Sequence, residues 1–92
     1  MVRPFKRRRI VFEPNAVYYK PAGIPISELK EVELKMDELE ALRLADAEGL
    51  KQEECAEKMG VSQPTFNRII SSARNKVAES LTKGFAIKII KQ

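Results

Sequence analysis

The side chains with the most distinctive hydrogen-bonding chemistry follow one another closely after Val61. Gln63 and Asn67 carry amides, Arg68 carries a guanidinium, and Ser71 adds a hydroxyl. In a DNA major groove an Arg can donate two hydrogen bonds to guanine, and an Asn or Gln can pair twice with adenine. In a helix these four side chains lie on or beside one outward face. The spacing therefore predicts a surface that could contact base edges.

Hydroxyl and basic side chains around this face could contact phosphates instead of bases. Such contacts position a protein on DNA without specifying a sequence, and no acidic residue interrupts the segment from Val61 until Glu79. The basic N-terminal arm could follow phosphates or a minor groove, although a solvated tail is the equal alternative. The phosphate-contact candidates are Ser62, Thr65, Ser72, Arg74 and Lys76, with Arg7, Arg8 and Arg9 of the arm.

Two helices joined by a tight turn would position these side chains. We predict the first over residues 52–59 and the second over residues 63–82, with Gly60 in the turn and Gly84 as the stop. Ser62 is typical of a helix N-cap. Apolar residues at the required places would pack the pair together: Cys55, Ala56, Met59, Val61, Phe66 and Ile69. This pattern favours a helix-turn-helix, a core that also serves protein–protein contacts.

The rest of the chain predicts one more helix and short strands. Asp37 and Glu40 have the spacing of a capping box, so we expect a helix over residues 37–48. A stripe on the long helix should extend its buried face through Phe66, Ile69, Ile70, Ala73, Val77 and Leu81. Strands are expected at residues 9–12, 17–19 and 85–90, with the first pairing with the last, either within one chain or between two protomers. A short helical turn capped by Ser27 is expected near residues 28–31.

The distribution of charge also favours a polyanionic partner. The net charge is +4: residues 1–12 hold five basic and no acidic residues, and residues 61–92 hold six basic residues against one acid. Residues 33–60 hold four basic residues against nine acids. Basic ends around an acidic middle favour a polyanion at the ends, although charges that merely keep the chain soluble are the alternative.

The residue types exclude several classes of function. The chain has one Cys and no His, so an internal disulfide framework and a zinc finger are excluded. We expect no metal, no cofactor and no enzyme, because neither a phosphate loop nor a nucleophile with its base is evident. Without a long apolar run or a signal-like start, we expect a cytoplasmic protein that does not enter a membrane.

Several stretches spread along the chain carry a family resemblance: residues 3–4, 12–14, 20–25, 37–46, 48–50, 52–56 and 59–66. Through them the chain resembles a family of small uncharacterised prokaryotic proteins that are predicted to bind DNA. The helical part is also similar, more loosely, to region 4 of sigma-70-type sigma factors. The family resemblance implies a regulator-like protein. The sigma likeness places its contact residues at Gln63, Pro64, Asn67 and Arg68, with Pro64 departing from the polar residue of sigma factors.

These patterns together predict a mainly α fold, a sigma-region-4-like three-helix unit with short N- and C-terminal β segments. Residues 1–26 would form a basic extended arm, and residues 27–92 the helix-turn-helix domain. The expected function is DNA binding and transcription regulation as a homodimer on double-stranded DNA, with residues 63–82 as the recognition helix. The alternative is an interaction module that docks RNA polymerase or another protein.

Overall fold

The computed structural model describes residues 17–91 and contains three α-helices beside a three-stranded sheet. Before the first helix lie β1, a 3-10 turn and β2, and a π-helical turn follows that helix. The mainly helical fold with short strands toward both ends is confirmed. The elements are β1 (Tyr18–Tyr19), the 3-10 turn (Ile26–Glu28), β2 (Glu31–Lys35), α1 (Met36–Leu42), the π-turn (Arg43–Ala47), α2 (Gln52–Met59), α3 (Gln63–Lys83) and β3 (Ala86–Ile90).

The last strand lies in the middle of the sheet. β3 pairs antiparallel with β1, where Tyr18 faces Lys88, and parallel with β2, where Leu34 faces Ile89. Parallel strands need a long crossover, and all three helices lie within it. The C-terminal strand is confirmed, as is the extended segment at Tyr18–Tyr19. The strand expected at residues 9–12, and its pairing with β3, lie outside the described residues.

The strand β2 stands close to where a helical turn was expected. That prediction was wrong: the 3-10 turn is Ile26–Glu28, its N-cap is Pro25 rather than Ser27, and Glu31 already belongs to β2. β2 is half-buried at Val32 and buried at Leu34, and the charged residues that alternate with them, Glu31, Glu33 and Lys35, are exposed. This alternation is the signature of a strand with one covered face.

The first helix begins earlier and is capped differently than predicted. It follows β2 directly, so Lys35 is the N-cap and Glu38 the third helical residue, whose Oε1 accepts the Lys35 N–H at 2.9 Å. Asp37 is therefore inside the first turn and is not the cap. Glu40 accepts two hydrogen bonds from Arg43, both at 2.9 Å, instead of closing a capping box. The predicted span of residues 37–48 is split between α1 and the π-turn.

Two apolar clusters hold the helices and the sheet together. The first joins α1 and the π-turn to α2 and α3, and the second joins β2 and β3 to α3. Every residue predicted to pack the helix pair lies in or against the first cluster. Its buried members are Ala41, Leu44, Cys55, Ala56, Met59, Phe66, Ile69 and Ile70. Those of the second are Leu34, Met36, Ala73 and Ile89.

The buried stripe of α3 turns away from Leu81. That side chain is 77% exposed, whereas Ser80 is only 3% exposed. The prediction that Leu81 continues the stripe was wrong: Leu81 returns to the side of Ile70, but no α3 residue after Ile70 belongs to the first cluster within the described residues, so nothing there covers Leu81. No helix within residues 17–91 is both long and apolar enough to cross a membrane.

Candidate nucleic-acid interface

A three-residue turn fixes how α3 follows α2. Gly60 ends α2 with a left-handed backbone, φ 71°, and Val61 N–H donates to Ala56 O at 3.0 Å. Ser62 then caps α3 by accepting the Thr65 N–H at 3.2 Å. Glycine adopts positive φ without steric cost, and the hydroxyl satisfies a free N–H at the helix start. The bounds predicted for both helices are confirmed within one residue.

The four base-contact candidates all lie on the exposed side of α3. We call Gln63, Asn67, Arg68 and Ser71 the polar face; each of them is exposed. Within residues 17–91, the side chains of Gln63, Asn67 and Ser71 have no hydrogen-bonding partner. Arg68 Nη2 donates to Thr65 Oγ1 at 3.3 Å, which is a long hydrogen bond. The polar face is thus free to bind a polar partner.

Asn75 extends the polar face and was missed from the sequence. It is exposed and lies one helical turn beyond Ser71 and two turns beyond Asn67 and Arg68. Its amide has no partner in the part of the chain that the structure describes. The spacing of four residues from Ser71 was the signal that could have found it.

Two of the phosphate-contact candidates, Ser72 and Lys76, already make hydrogen bonds to other residues of the chain. Ser72 Oγ donates to Glu38 Oε2 at 2.6 Å, and Lys76 Nζ donates to Glu38 Oε1 at 2.8 Å and to Glu33 O at 2.7 Å. The Glu38 side chain is 7% exposed. Burial raises the pKa of Glu38, but the hydrogen bonds from Lys76, Ser72 and the Lys35 N–H outweigh it, and the net pKa lies below its ordinary value. These contacts fasten α3 to the β2–α1 junction.

Arg74 is also paired, but at the surface. Its Nε and Nη2 donate to the two carboxylate oxygens of Asp46 in the π-turn, at 3.0 and 2.7 Å. Arg74 thereby lowers the pKa of Asp46. Burial most strongly, then the charges of Glu54 and Asp46, raise the pKa of the Cys55 thiol. The Arg74 guanidinium is therefore engaged by the Asp46 carboxylate in the free protein.

The remaining candidates divide between the cap and the N-terminal arm. Ser62 Oγ donates to Thr65 Oγ1 at 3.0 Å in addition to capping α3, so both hydroxyls help to shape the start of the helix. Arg7, Arg8 and Arg9 lie outside the described residues. No group of three His, Cys, Asp or Glu side chains within residues 17–91 could hold a metal ion.

Two other surfaces adjoin the helices. The exposed side of α2 carries acids, namely Glu53, Glu54 and Glu57. An open apolar groove of about 500 Å³ lies along α1 and the π-turn, lined by Leu39, Leu42, Arg43, Asp46 and Ala47. Both surfaces differ in character from the polar face, which has no acid.

The fold and the site define a small, mainly helical protein with a three-stranded sheet. Its long helix exposes a face made of uncharged polar side chains and one basic side chain. The chain belongs to the family described as "Protein of unknown function DUF134", whose model matches residues 1–92. This confirms the family of uncharacterised proteins that the sequence resembles; DNA binding by its members stays a prediction.

The relatives share more than half of their aligned residues with this chain. A UPF0251 protein of Desulforudis audaxviator is 57% identical over 89 residues, covering 97% of this chain and 58% of the relative. Another, from Caldanaerobacter subterraneus, is 58% identical over 89 residues, covering 97% of this chain and 75% of the relative. A third, from Moorella thermoacetica, is 56% identical and is covered over 60% of its length. The chain therefore spans between 58% and 75% of the length of these proteins. No solved structure matches it significantly.

Proposed function

We propose that this chain binds double-stranded DNA and regulates transcription, with the first half of α3 in the major groove. One observation carries the proposal: the polar face is exposed, and its two amides and the Ser71 hydroxyl have no partner within residues 17–91. Hydrogen-bonding side chains that face solvent on a rigid helix can pair with base edges without first breaking internal bonds.

The electrostatics of α3 support the same placement. Its first turn has no acidic residue, and the positive end of a helix dipole favours an approaching phosphate. Arg68 adds a full positive charge one turn further on. The single acid within residues 63–83 is Glu79, which lies near the end of α3 that would point away from the groove. A polyanion can thus approach this end of the helix without meeting a like charge on α3.

We assign base contacts to the polar face, and a phosphate contact to Asn75, which lies further along α3. Phosphate contacts fall to Ser62, Thr65 and the basic arm, since Ser72 and Lys76 are engaged by Glu38. The α1–α2–α3 arrangement, with a tight turn before the exposed helix, supports the finer proposal of a sigma-region-4-like helix-turn-helix. We further propose a homodimer, because a single short recognition helix gives limited affinity and paired half-sites supply the rest.

Binding to a labelled duplex of random sequence tests the proposal. We expect binding at low salt whose affinity falls steeply with added salt, because bound phosphates release counterions. A selection from random DNA should then yield a preferred site, and light scattering with and without that site should report the dimer. Absence of binding to any duplex at low salt contradicts the proposal.

A second candidate function is supported by the apolar groove. Its lining of Leu39, Leu42 and Ala47 lies open to solvent, and the acids of α2 stand apart from the polar face. A protein partner such as RNA polymerase could dock an apolar side chain there. Ala47→Gln, at an exposed position of the lining, would weaken such docking and leave DNA binding unchanged, whereas Asn67→Ala should do the reverse.

A further inference from the structure

The ion pair with Asp46 engages Arg74, a basic side chain on the side of α3 that carries Gln63 and Asn67. Arg74 lies seven residues after Asn67 and eleven after Gln63, and these spacings return to the same side of a helix. Its side chain is 54% exposed and that of Asp46 is 43% exposed. The guanidinium is therefore reachable from the surface that carries the polar face.

The position of Arg74 along α3 suits a phosphate rather than a base. It lies about 16 Å from the first residue of the helix, and the major groove is about 12 Å wide. In a helix that enters the groove with its first turn, a side chain so far along stands at the level of the sugar–phosphate backbone. The two N–H groups that now bind Asp46 have the fork geometry that also matches a phosphate.

We propose that Asp46 withholds Arg74 from DNA, and that Arg74 exchanges the Asp46 carboxylate for a phosphate when the duplex binds. The inference rests on the proposed function and adds to it a built-in competitor that lowers affinity for any duplex. Exposed ion pairs are weak, so the exchange is accessible to a bound phosphate. Asp46 belongs to the π-turn, a local geometry frequent at functional sites.

A double-mutant cycle separates this exchange from a general effect of charge. Four versions of the 92-residue chain are compared on one labelled duplex of random sequence: the unchanged protein, Asp46→Asn, Arg74→Gln and the double variant. Asp46→Asn keeps the shape of the side chain and removes its charge. With Arg74 present, it should tighten binding about two- to fivefold, the range set by loss of an exposed pair.

In the Arg74→Gln background the same change should have a clearly smaller effect, because no cation is released. The salt dependence provides a second readout: the slope of log affinity against log salt should be steeper for Asp46→Asn than for the double variant by about 1, one phosphate contact. Thermal unfolding of all four proteins checks that each is folded.

The outcomes distinguish this inference from the proposed function. Equal gains from Asp46→Asn in both backgrounds, or no gain in either, overturn the exchange while leaving DNA binding intact. Failure of all four proteins to bind the duplex at low salt overturns both. A gain that depends on Arg74, with the steeper salt slope, supports the exchange.

Discussion

Arg68 brings a positive charge to the polar face, and within residues 17–91 its one hydrogen bond is the 3.3 Å contact to Thr65. An exposed guanidinium with so little internal engagement can turn toward a guanine edge. Arg68→Ala should therefore weaken binding to a selected site by about 1–3 kcal/mol, and binding to a random duplex by less. Competition titrations of the two duplexes measure the difference.

Lys83→Ala is the matched control for Arg68→Ala. It removes one positive charge from the same helix, at the far end, where Lys83 pairs with Glu79 at 3.2 Å. Its effect should be small and equal on both duplexes. Equal losses of affinity for both duplexes in Arg68→Ala would mean that Arg68 contacts phosphates and not base edges.

The buried carboxylate of Glu38 makes the stability of the fold depend on pH. It accepts from Lys76, Ser72 and the Lys35 N–H, and its net pKa lies below the ordinary 4.5. A lowered pKa in the folded state means that Glu38 stabilises the fold fully above the ordinary pKa. That contribution is lost as pH falls through the lower, folded value.

We expect the melting temperature to fall as the pH is lowered below 4.5, and to fall less in Glu38→Gln. The variant keeps an acceptor for the Lys35 N–H but cannot be protonated, so it starts less stable at neutral pH and has a flatter profile. Thermal unfolding followed by circular dichroism across this pH range measures both. Parallel profiles for the two proteins would show that other carboxylates carry the acid sensitivity.

The helix α3 buries a hydroxyl group at a position where an apolar side chain would be at least as stable. Ser80 is 3% exposed, and its Oγ has no hydrogen-bonding partner in the described part of the chain. An unpaired buried hydroxyl costs free energy, and alanine is a good helix former. Ser80→Ala should therefore leave the free energy of unfolding unchanged or raise it by up to about 1 kcal/mol.

The opposite substitution on the same face is the control for Ser80→Ala. Ala73→Ser places a hydroxyl into the second apolar cluster, at a position that is 0% exposed. It should lower the free energy of unfolding by about 1–3 kcal/mol. Denaturant titrations compare the two variants, and marked destabilisation by Ser80→Ala would mean that the hydroxyl has a structural partner.

The helices α2 and α3 could be predicted from the sequence because their ends are specified locally. Gly60, Ser62 and Gly84 fix the ends through their own backbone and side chains, whatever packs nearby. The exposed side of α3 follows from the same helical period, so the polar face was predictable as well. Asn75 was within reach of this reasoning and was overlooked.

Contacts between distant residues were beyond sequence reasoning. Lys76 and Arg74 have the charge expected of phosphate contacts, and only the fold reveals that Glu38 and Asp46 already bind them. The strand β2 was missed for a related reason: its pairing partner follows all three helices, so its identity as a strand depends on a segment far along the chain. Short alternating runs are ambiguous without that partner.

The whole molecule depends on its central strand, because β1 and β2 pair with β3 and not with each other. Ala86 N–H donates to Lys30 O, so alternation directs the N–H of Lys88 toward β2. Lys88→Pro removes that donor in the middle of the sheet and, by leaving the facing carbonyl unpaired, should lower the free energy of unfolding by about 1–3 kcal/mol. Thermal unfolding measures the loss.

Glu31→Pro is the control for the central strand. Glu31 begins β2, and alternation turns its N–H away from β3, a place where proline is tolerated. The loss should be much smaller than in Lys88→Pro. Similar losses from the two substitutions would mean that the sheet is not organised around β3.

The same arrangement sets an order of events during synthesis. β1 and β2 leave the ribosome long before β3, which follows α3 in the chain. Until then neither of them has its partner, whereas all the residues of the first apolar cluster, which ends at Ile70, have already emerged. The nascent chain can therefore assemble its helices first. It completes its sheet only when the strand that links the other two has been made.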